Sequence, residues 1–165
     1  MLNRTYETQN CSVARALEVV GERWSLLIVR DLMLGYRRFD ELHERLGVAR
    51  NVLAARLERL ADEGVIEKAL YQERPARYEY HLTEKGRDLW PVIVGLLSWG
   101  DRYLTGGAPP VVLEHRECGG LVNDRRICER CGAELGVREA IARPGPGAKK
   151  ARGRLVPAGR VQPGK

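Results

Sequence analysis

RRFDELHERLGVARNVLAARLERLADEG, residues 37–64, is the stretch whose reading decides the fold. Phe39, Leu42 and Leu46 recur at helical spacing until Gly47 interrupts them. A second periodic run carries Val52, Leu53, Leu57 and Leu60 and stops at Gly64. Both glycines stand where a helix end favours a left-handed residue, so the stretch predicts two helices around a tight turn. On the second helix Arg50, Asn51, Ala54 and Arg56 lie toward the N-terminal end, off the line of Leu53, Leu57 and Leu60. A helix lying in the DNA major groove has this makeup: donors near its start, small residues that allow close approach, and leucines anchoring it to a core. An ordinary amphipathic helix pair would show the same periodicity. The residues after Gly64 separate the two readings.

Past Gly64 the period changes to two. Residues 65–72 and 77–82 read as strands joined by Glu73, Arg74, Pro75 and Ala76. In the second strand Tyr78, Tyr80 and Leu82 share one face and Arg77, Glu79 and His81 the other. Pro75 suits a turn and not a strand interior. The result is a hairpin with Arg74 and Arg77 flanking its tip, positioned for phosphates or a narrow minor groove. The alternative is a solvated loop, but Glu73 is the sole acid at the tip to pair with them.

Upstream, Ser12 is the expected N-cap of a first helix with Val13, Ala16, Leu17 and Val20 on one face, ended by Gly21. Residues 24–33 carry Leu26, Leu27, Ile28, Val29 and Leu32, apolar on nearly every side, which predicts a helix at the centre of the core. These helices, the helix pair and the basic-tipped hairpin lay out a winged helix-turn-helix: mainly α with a small β-hairpin wing (α+β). Thr83 and Glu84 open a further helix running to about Tyr103. Its apolar residues, among them Leu89, Trp90, Leu96, Trp99 and Tyr103, cover more than one face. We read it as a dimerisation helix; the alternative is that it plugs a monomeric core. Pro91 predicts a kink or a break near Trp90.

Several segments together resemble the HxlR-type winged-helix regulators, relatives of the MarR group. They are CSVA from Cys11, GERWSLLI from Gly21, RFDEL from Arg38, the leucines from Leu53 to Leu60, RPARYEY from Arg74, LTEKG from Leu82 and the pair Trp99 and Gly100. The resemblance covers roughly residues 11–104. It implies a homodimer that binds double-stranded operator DNA sequence-specifically, usually as a repressor. Some members of the family respond to oxidants, quinones or aldehydes through a cysteine near the N-terminus, and Cys11 matches that position. Ser12 follows it where family members often have proline. A thiol just ahead of a helix, with Arg15 one turn on, is favoured as thiolate. The alternative is an unreactive thiol packed under the dimer helices.

The other three of the four cysteines fall in His115-x2-Cys118-x9-Cys128-x2-Cys131, with Gly119 and Gly132 directly after two of them. Such spacing lets each pair reach one tetrahedral centre from a turn, and glycine lets the turn close around sulfur. Three thiolates and an imidazole would hold structural zinc with no open position. The alternatives are a redox pair, Cys128 and Cys131, or a site that no longer binds metal. The CxxC lacks the strand–helix setting of thioredoxin-type chemistry.

The chain divides accordingly into a winged-helix and dimerisation domain (1–105), a linker (106–114), a zinc-ribbon-like segment (115–140) and a disordered basic tail (141–165). The formal charge of +6 is matched by six basic residues beyond Pro144 (Lys149, Lys150, Arg152, Arg154, Arg160 and Lys165), so the rest of the chain is neutral overall. Residues 1–10 are polar, with no signal-peptide core, and residues 89–99 are too short to span a bilayer, which predicts a cytoplasmic protein without membrane contact. His43, His81 and His115 lie on separate elements, and neither a nucleophile motif nor a phosphate-cradling glycine loop is present. An enzyme is therefore not expected. A winged-helix module that holds a protein or RNA partner through its Cys/His segment and tail is the competing reading. Such a module would be expected to lose basic residues on the second helix and at the wing, and both sets are present.

Overall fold

The structure is a computed structural model that describes residues 10–148. The basic residues from Lys149 onward, and the expectation of disorder for most of that tail, lie outside the described residues. The chain forms two compact units, the first ending at Gly86 and the second beginning at Arg87.

The first unit contains α1 (Ser12–Val20), α2 (Ser25–Met33), α3 (Phe39–Leu46), α4 (Arg50–Asp62), β1 (Ile66–Gln72) and β2 (Arg77–Leu82). Cys11 and not Ser12 occupies the N-cap of α1, and no side chain caps that helix. The two glycines of the helix pair behave as their positions demand: Gly47 caps α3 at φ +62°, and Gly64 follows α4 at φ +66°. At the start of α3 the Glu41 carboxylate accepts the N–H groups of Arg37 and Arg38 at 3.0 and 2.9 Å, satisfying donors that a helix start otherwise leaves open.

The core is aliphatic. Ile28 and Val29 of α2, Leu42 of α3, Leu53, Leu57 and Leu60 of α4, and Val65 and Ile66 at the wing's root are all at most 2% exposed. Helix α2 is central, as its composition predicts, but its buried face includes an acid. Asp31 is fully buried and accepts from Arg30 Nη2 at 2.8 Å and Arg45 Nε at 3.1 Å. The Arg45 guanidinium also lies 3.8 Å from the Tyr36 ring centroid. A buried carboxylate is tolerated only when paired, and here two arginines pair it.

In the wing, β1 and β2 run antiparallel from Ile66 opposite Leu82 to Gln72 opposite Arg77, with an irregularity between Leu70 and Gln72. A third segment joins their edge. Arg38 bridges to Glu79, and Tyr80 N–H donates to Arg37 O at 2.8 Å. The hairpin is thereby attached to the residue that opens α3. The short α5 (Glu84–Arg87) follows. A Cβ on Gly86 would overlap the Val65 carbonyl oxygen, so the chain passes this point only as glycine.

The second unit opens with α6 (Trp90–Leu104), whose first turn contains Pro91. The predicted helix from Thr83 to about Tyr103 is broken between Arg87 and Trp90, because proline has no N–H to continue a helix but fits the first turn of a new one. Beyond it, β3 (Val111–His115) pairs antiparallel with β4 (Ala140–Pro144), Val111 opposite Pro144 and His115 opposite Ala140. These strands correct two boundaries. The last four residues of the predicted linker 106–114 lie in β3, and the predicted tail 141–165 begins inside β4. Each strand finds its partner only across the whole intervening loop, and local patterning carries no trace of so distant a pairing. No helix among the described residues is long and apolar enough to cross a membrane.

Candidate nucleic-acid interface and candidate metal centre

The basic residues of α4 and the wing reach solvent in different ways. Arg50, Asn51 and Ala54 are exposed, as is Ala55 between them and the next turn. The N-cap of α4 is Ala49, with no side-chain cap, so the first N–H groups of the helix have no side-chain acceptor. Arg50 lies 4.7 Å from the Phe39 ring centroid and pairs with Asp40 at 2.9 Å, both side chains being more than half exposed. Such a pair is weak and exchanges readily for another acceptor.

Arg56 does not share this exposure. Its Nη2 pairs with Glu22 at 3.0 Å, its side chain is 28% exposed, and its buried Nε has no partner. It ties the middle of α4 to the turn between α1 and α2. At the wing tip Arg74 and Arg77 are exposed, and among the described residues neither has an acidic partner. Sequence reading missed two basic groups nearby. Arg38 bonds Glu79 at 3.1 Å and lies over Tyr71, and Lys68 lies over Tyr78. Arg38 stands within the deciding stretch, but the strand that engages it lies some forty residues further on.

Cys11 is exposed, and its carbonyl accepts Arg15 N–H at 3.1 Å. Two apolar stripes are also uncovered. Helix α1 exposes Val13 and Leu17, and α6 exposes Val92, Leu96, Trp99 and Tyr103. The α6 residues follow a spacing of three and four along one side.

The four residues of the Cys/His pattern converge. Their ligand atoms all lie within 4.8 Å of one another. His115 Nδ1 is 3.2 Å from Cys118 Sγ and 3.3 Å from Cys131 Sγ, and Cys118 Sγ is 3.4 Å from Cys128 Sγ. Donors bound tetrahedrally to one zinc ion would stand about 3.5–3.8 Å apart, from ordinary Zn–N and Zn–S lengths. The group is therefore already drawn in to the size of an ion's first shell.

Two matching turns produce this convergence. In the first, Gly119 N–H donates to His115 O at 2.8 Å and His115 N–H to Gly120 O at 2.8 Å. In the second, Gly132 N–H donates to Cys128 O at 2.9 Å and Cys128 N–H to Ala133 O at 2.9 Å. Gly119 and Gly132 both adopt positive φ, +69° and +75°. A Cβ on Gly120 would stand 2.5 Å from Cys128 Sγ, so glycine is required there by close approach. Arg130 Nη1 donates to Cys118 O at 2.6 Å and holds one turn against the other.

The thiols feel this geometry unequally. Burial pushes the Cys128 thiol up, but N–H groups of Cys131 and Arg130 outweigh it and bring the pKa down to about 6. At Cys118 the Gly120 N–H favours the thiolate, yet burial and the neighbouring thiols leave the pKa raised. His115 is buried, with Nδ1 turned to the sulfurs and Nε2 3.9 Å from the Glu117 carboxylate. A metal on Nδ1 would leave the proton on Nε2, facing that acid.

The sequence model of the HxlR-like helix-turn-helix family matches residues 19–107. The chain is 48% identical over 139 residues to Rv3095 of Mycobacterium tuberculosis, an uncharacterised HTH-type transcriptional regulator, spanning 84% of this chain and 88% of that protein. It is 33% identical over 96 residues to the HTH-type regulator YdeP of Bacillus subtilis, spanning 58% of this chain and 75% of that one. Among solved structures, PA1607, a candidate transcription factor, is similar at a TM-score of 0.66 and 38% identity, over 81% of this chain and 94% of that one. The redox regulator HypR in its oxidised form is similar at a TM-score of 0.52 and 29% identity, over 56% of this chain and 96% of that one. With its helix pair, its attached wing and a family match across more than half its length, the chain belongs to the HxlR-like helix-turn-helix family.

Proposed function

We propose that this protein is a homodimeric, sequence-specific DNA-binding transcriptional regulator that acts as a repressor. The observation that carries the reading is the exposed, uncapped start of α4 beside a wing tip whose arginines have no acidic partner. Arg50, Asn51 and Ala54 then meet base edges in the major groove, with Ala54 permitting close approach. Arg74 and Arg77 meet phosphates or the minor groove. Arg56, held by Glu22, sets the angle of α4 instead of reading a base. The uncovered stripes on α1 and α6 are the surfaces that pair two subunits, which presents two copies of α4 to successive turns of duplex. Such a regulator works where its operator is, in the cytoplasm.

The test is a footprint on the protein's own upstream promoter fragment, together with sedimentation at micromolar concentration. A discrete protected site and a dimer are expected. A monomer without grip on that fragment in low salt would overturn the reading.

Two further assignments accompany it. His115, Cys118, Cys128 and Cys131 bind one structural zinc ion, supported by the convergence of their donor atoms; about one equivalent per chain is expected by metal analysis. Cys11 serves as a redox or electrophile sensor, supported by its exposure and by the likeness to the redox regulator HypR. In a thiol titration under native conditions it should react far faster than the ribbon cysteines, and a Cys11 no faster than those would remove the assignment.

A further inference from the structure

We propose that the metal centre holds the start of α6 in place, so that occupancy of the site controls how strongly two subunits pair, with Trp90 as the positioning residue. The inference rests on the zinc and dimer assignments above and adds a control to them.

Three observations carry it. First, the ribbon is fastened to α6 at both ends of the helix. The indole N–H of Trp90, the first residue of α6, donates to the Leu135 carbonyl at 3.0 Å in a buried contact. Near the other end Arg102 Nη2 stands 3.6 Å from the Asp124 carboxylate. The first tether is the stronger, because a buried donor left without its acceptor is costly, whereas an exposed ion pair is worth little.

Second, the Leu135 carbonyl sits four residues after Cys131, directly beyond the second metal-binding turn. Leu135 N–H donates to Arg126 O at 2.8 Å, and Glu134 bridges to Ile127, so this acceptor is held by the short strands around that turn. Among described residues 111–148 the buried side chains are His115, Cys128, Leu135 and Ala140, and two of these four are ligands. A segment this small, with a core this thin, needs its ion to stay folded. Losing the ion therefore releases the acceptor that Trp90 uses.

Third, the Trp90 indole is itself a donor and satisfies none of the open N–H groups at that end of α6. No side chain caps the helix, and Pro91 contributes no N–H. The uncovered stripe of Val92, Leu96, Trp99 and Tyr103 begins on the same first turn. Fraying or tilting of that turn moves the pairing surface itself. HypR, matched over 96% of its own length by 56% of this chain, has no counterpart for much of the remainder. PA1607 is matched over 94% of its length by 81% of this chain, so part of what HypR lacks is shared by other relatives, which suits a control element better than a part every relative needs.

The experiment uses the full chain in two forms, zinc-loaded and zinc-extracted by a chelator with a thiol-protecting reductant. Metal content and the monomer–dimer dissociation constant are read on the wild-type chain in each form, and Trp90 emission alone is read in a Trp24→Phe/Trp99→Phe background, where the pairing stripe is altered. Extraction should weaken pairing by about tenfold or more, the size of an ordinary coupling between sites, and restored zinc should reverse it. Trp90 emission should shift to the red on extraction and return with zinc. Trp90→Phe keeps the ring and deletes the donor. It should still bind zinc, pair more weakly when loaded, and respond to extraction by less than about threefold.

Each contrary result overturns the proposal in its own way. A chain without bound zinc removes it together with the metal assignment. Bound zinc, with the dissociation constant and Trp90 emission indifferent to extraction, removes the coupling and leaves the metal assignment standing. A monomer at every zinc level removes it together with the dimer. A zinc-loaded Trp90→Phe protein that keeps the full metal response removes Trp90 from the role.

Discussion

The winged-helix unit and the ribbon solve the same problem by different physics. In the first, eight aliphatic side chains from α2, α3, α4 and the wing's root are at most 2% exposed. Each contributes about 1.5–3 kcal/mol by leaving water. In residues 111–148 the described buried apolar set is Cys128, Leu135 and Ala140. There the order comes from four side chains directed at one point by a repeated turn. The first unit should therefore yield to loss of packing and the second to loss of an ion, with little exchange between the two.

Removing the ion is the most forceful way to break that contrast. Cys128→Ser, or chelation, should abolish zinc binding and with it about 10–16 kcal/mol of apparent metal-binding free energy that folds the ribbon. Hydrogen exchange should then quicken across β3 and β4 while α2 to α4 stay protected; simultaneous loss in both units would show that they are not separable. Next in size is the buried acid of the first unit. Asp31→Ala leaves Arg30 and Arg45 without their carboxylate and should cost roughly 3–5 kcal/mol in urea unfolding of that unit, with zinc content unchanged.

Smaller effects separate base reading from phosphate binding within the first unit. Arg50→Ala or Asn51→Ala should cost about 1–3 kcal/mol on the operator and much less on random DNA. Equal loss on both would move that residue to the backbone. Arg74→Ala should weaken binding to all sequences alike and reduce the slope of log K against log salt by about 0.9. A loss confined to the operator would give the wing a share in base reading.

Much of this was legible along the chain because the signals are local. Gly47 and Gly64 end helices, Pro91 breaks one, and the period change after Gly64 marks the wing; each acts on the backbone within a few residues. The convergence of the Cys/His residues was legible because short, paired spacings around turns bring their donor atoms to one point. Arg56 was not legible. It looks like its basic neighbours, and only the position of Glu22, thirty-four residues earlier and brought close by the packing of α1 on α4, draws it away from solvent. Asp31 went unnoticed in an apolar helix, because the Arg45 that pairs with it in the core comes from α3. The strands β3 and β4 were missed because each pairs across the whole loop that carries the Cys/His cluster.

By itself, then, the amino-acid order determined the elements of the winged helix, the break before α6 and the four Cys/His residues that converge, since backbone preference and turn chemistry operate over short spans. Only the tertiary structure decided which arginines face outward, that a carboxylate lies within the core, and that the indole of Trp90 meets the carbonyl of Leu135. Those facts depend on which distant segments are brought side by side, and no local window of residues encodes that proximity.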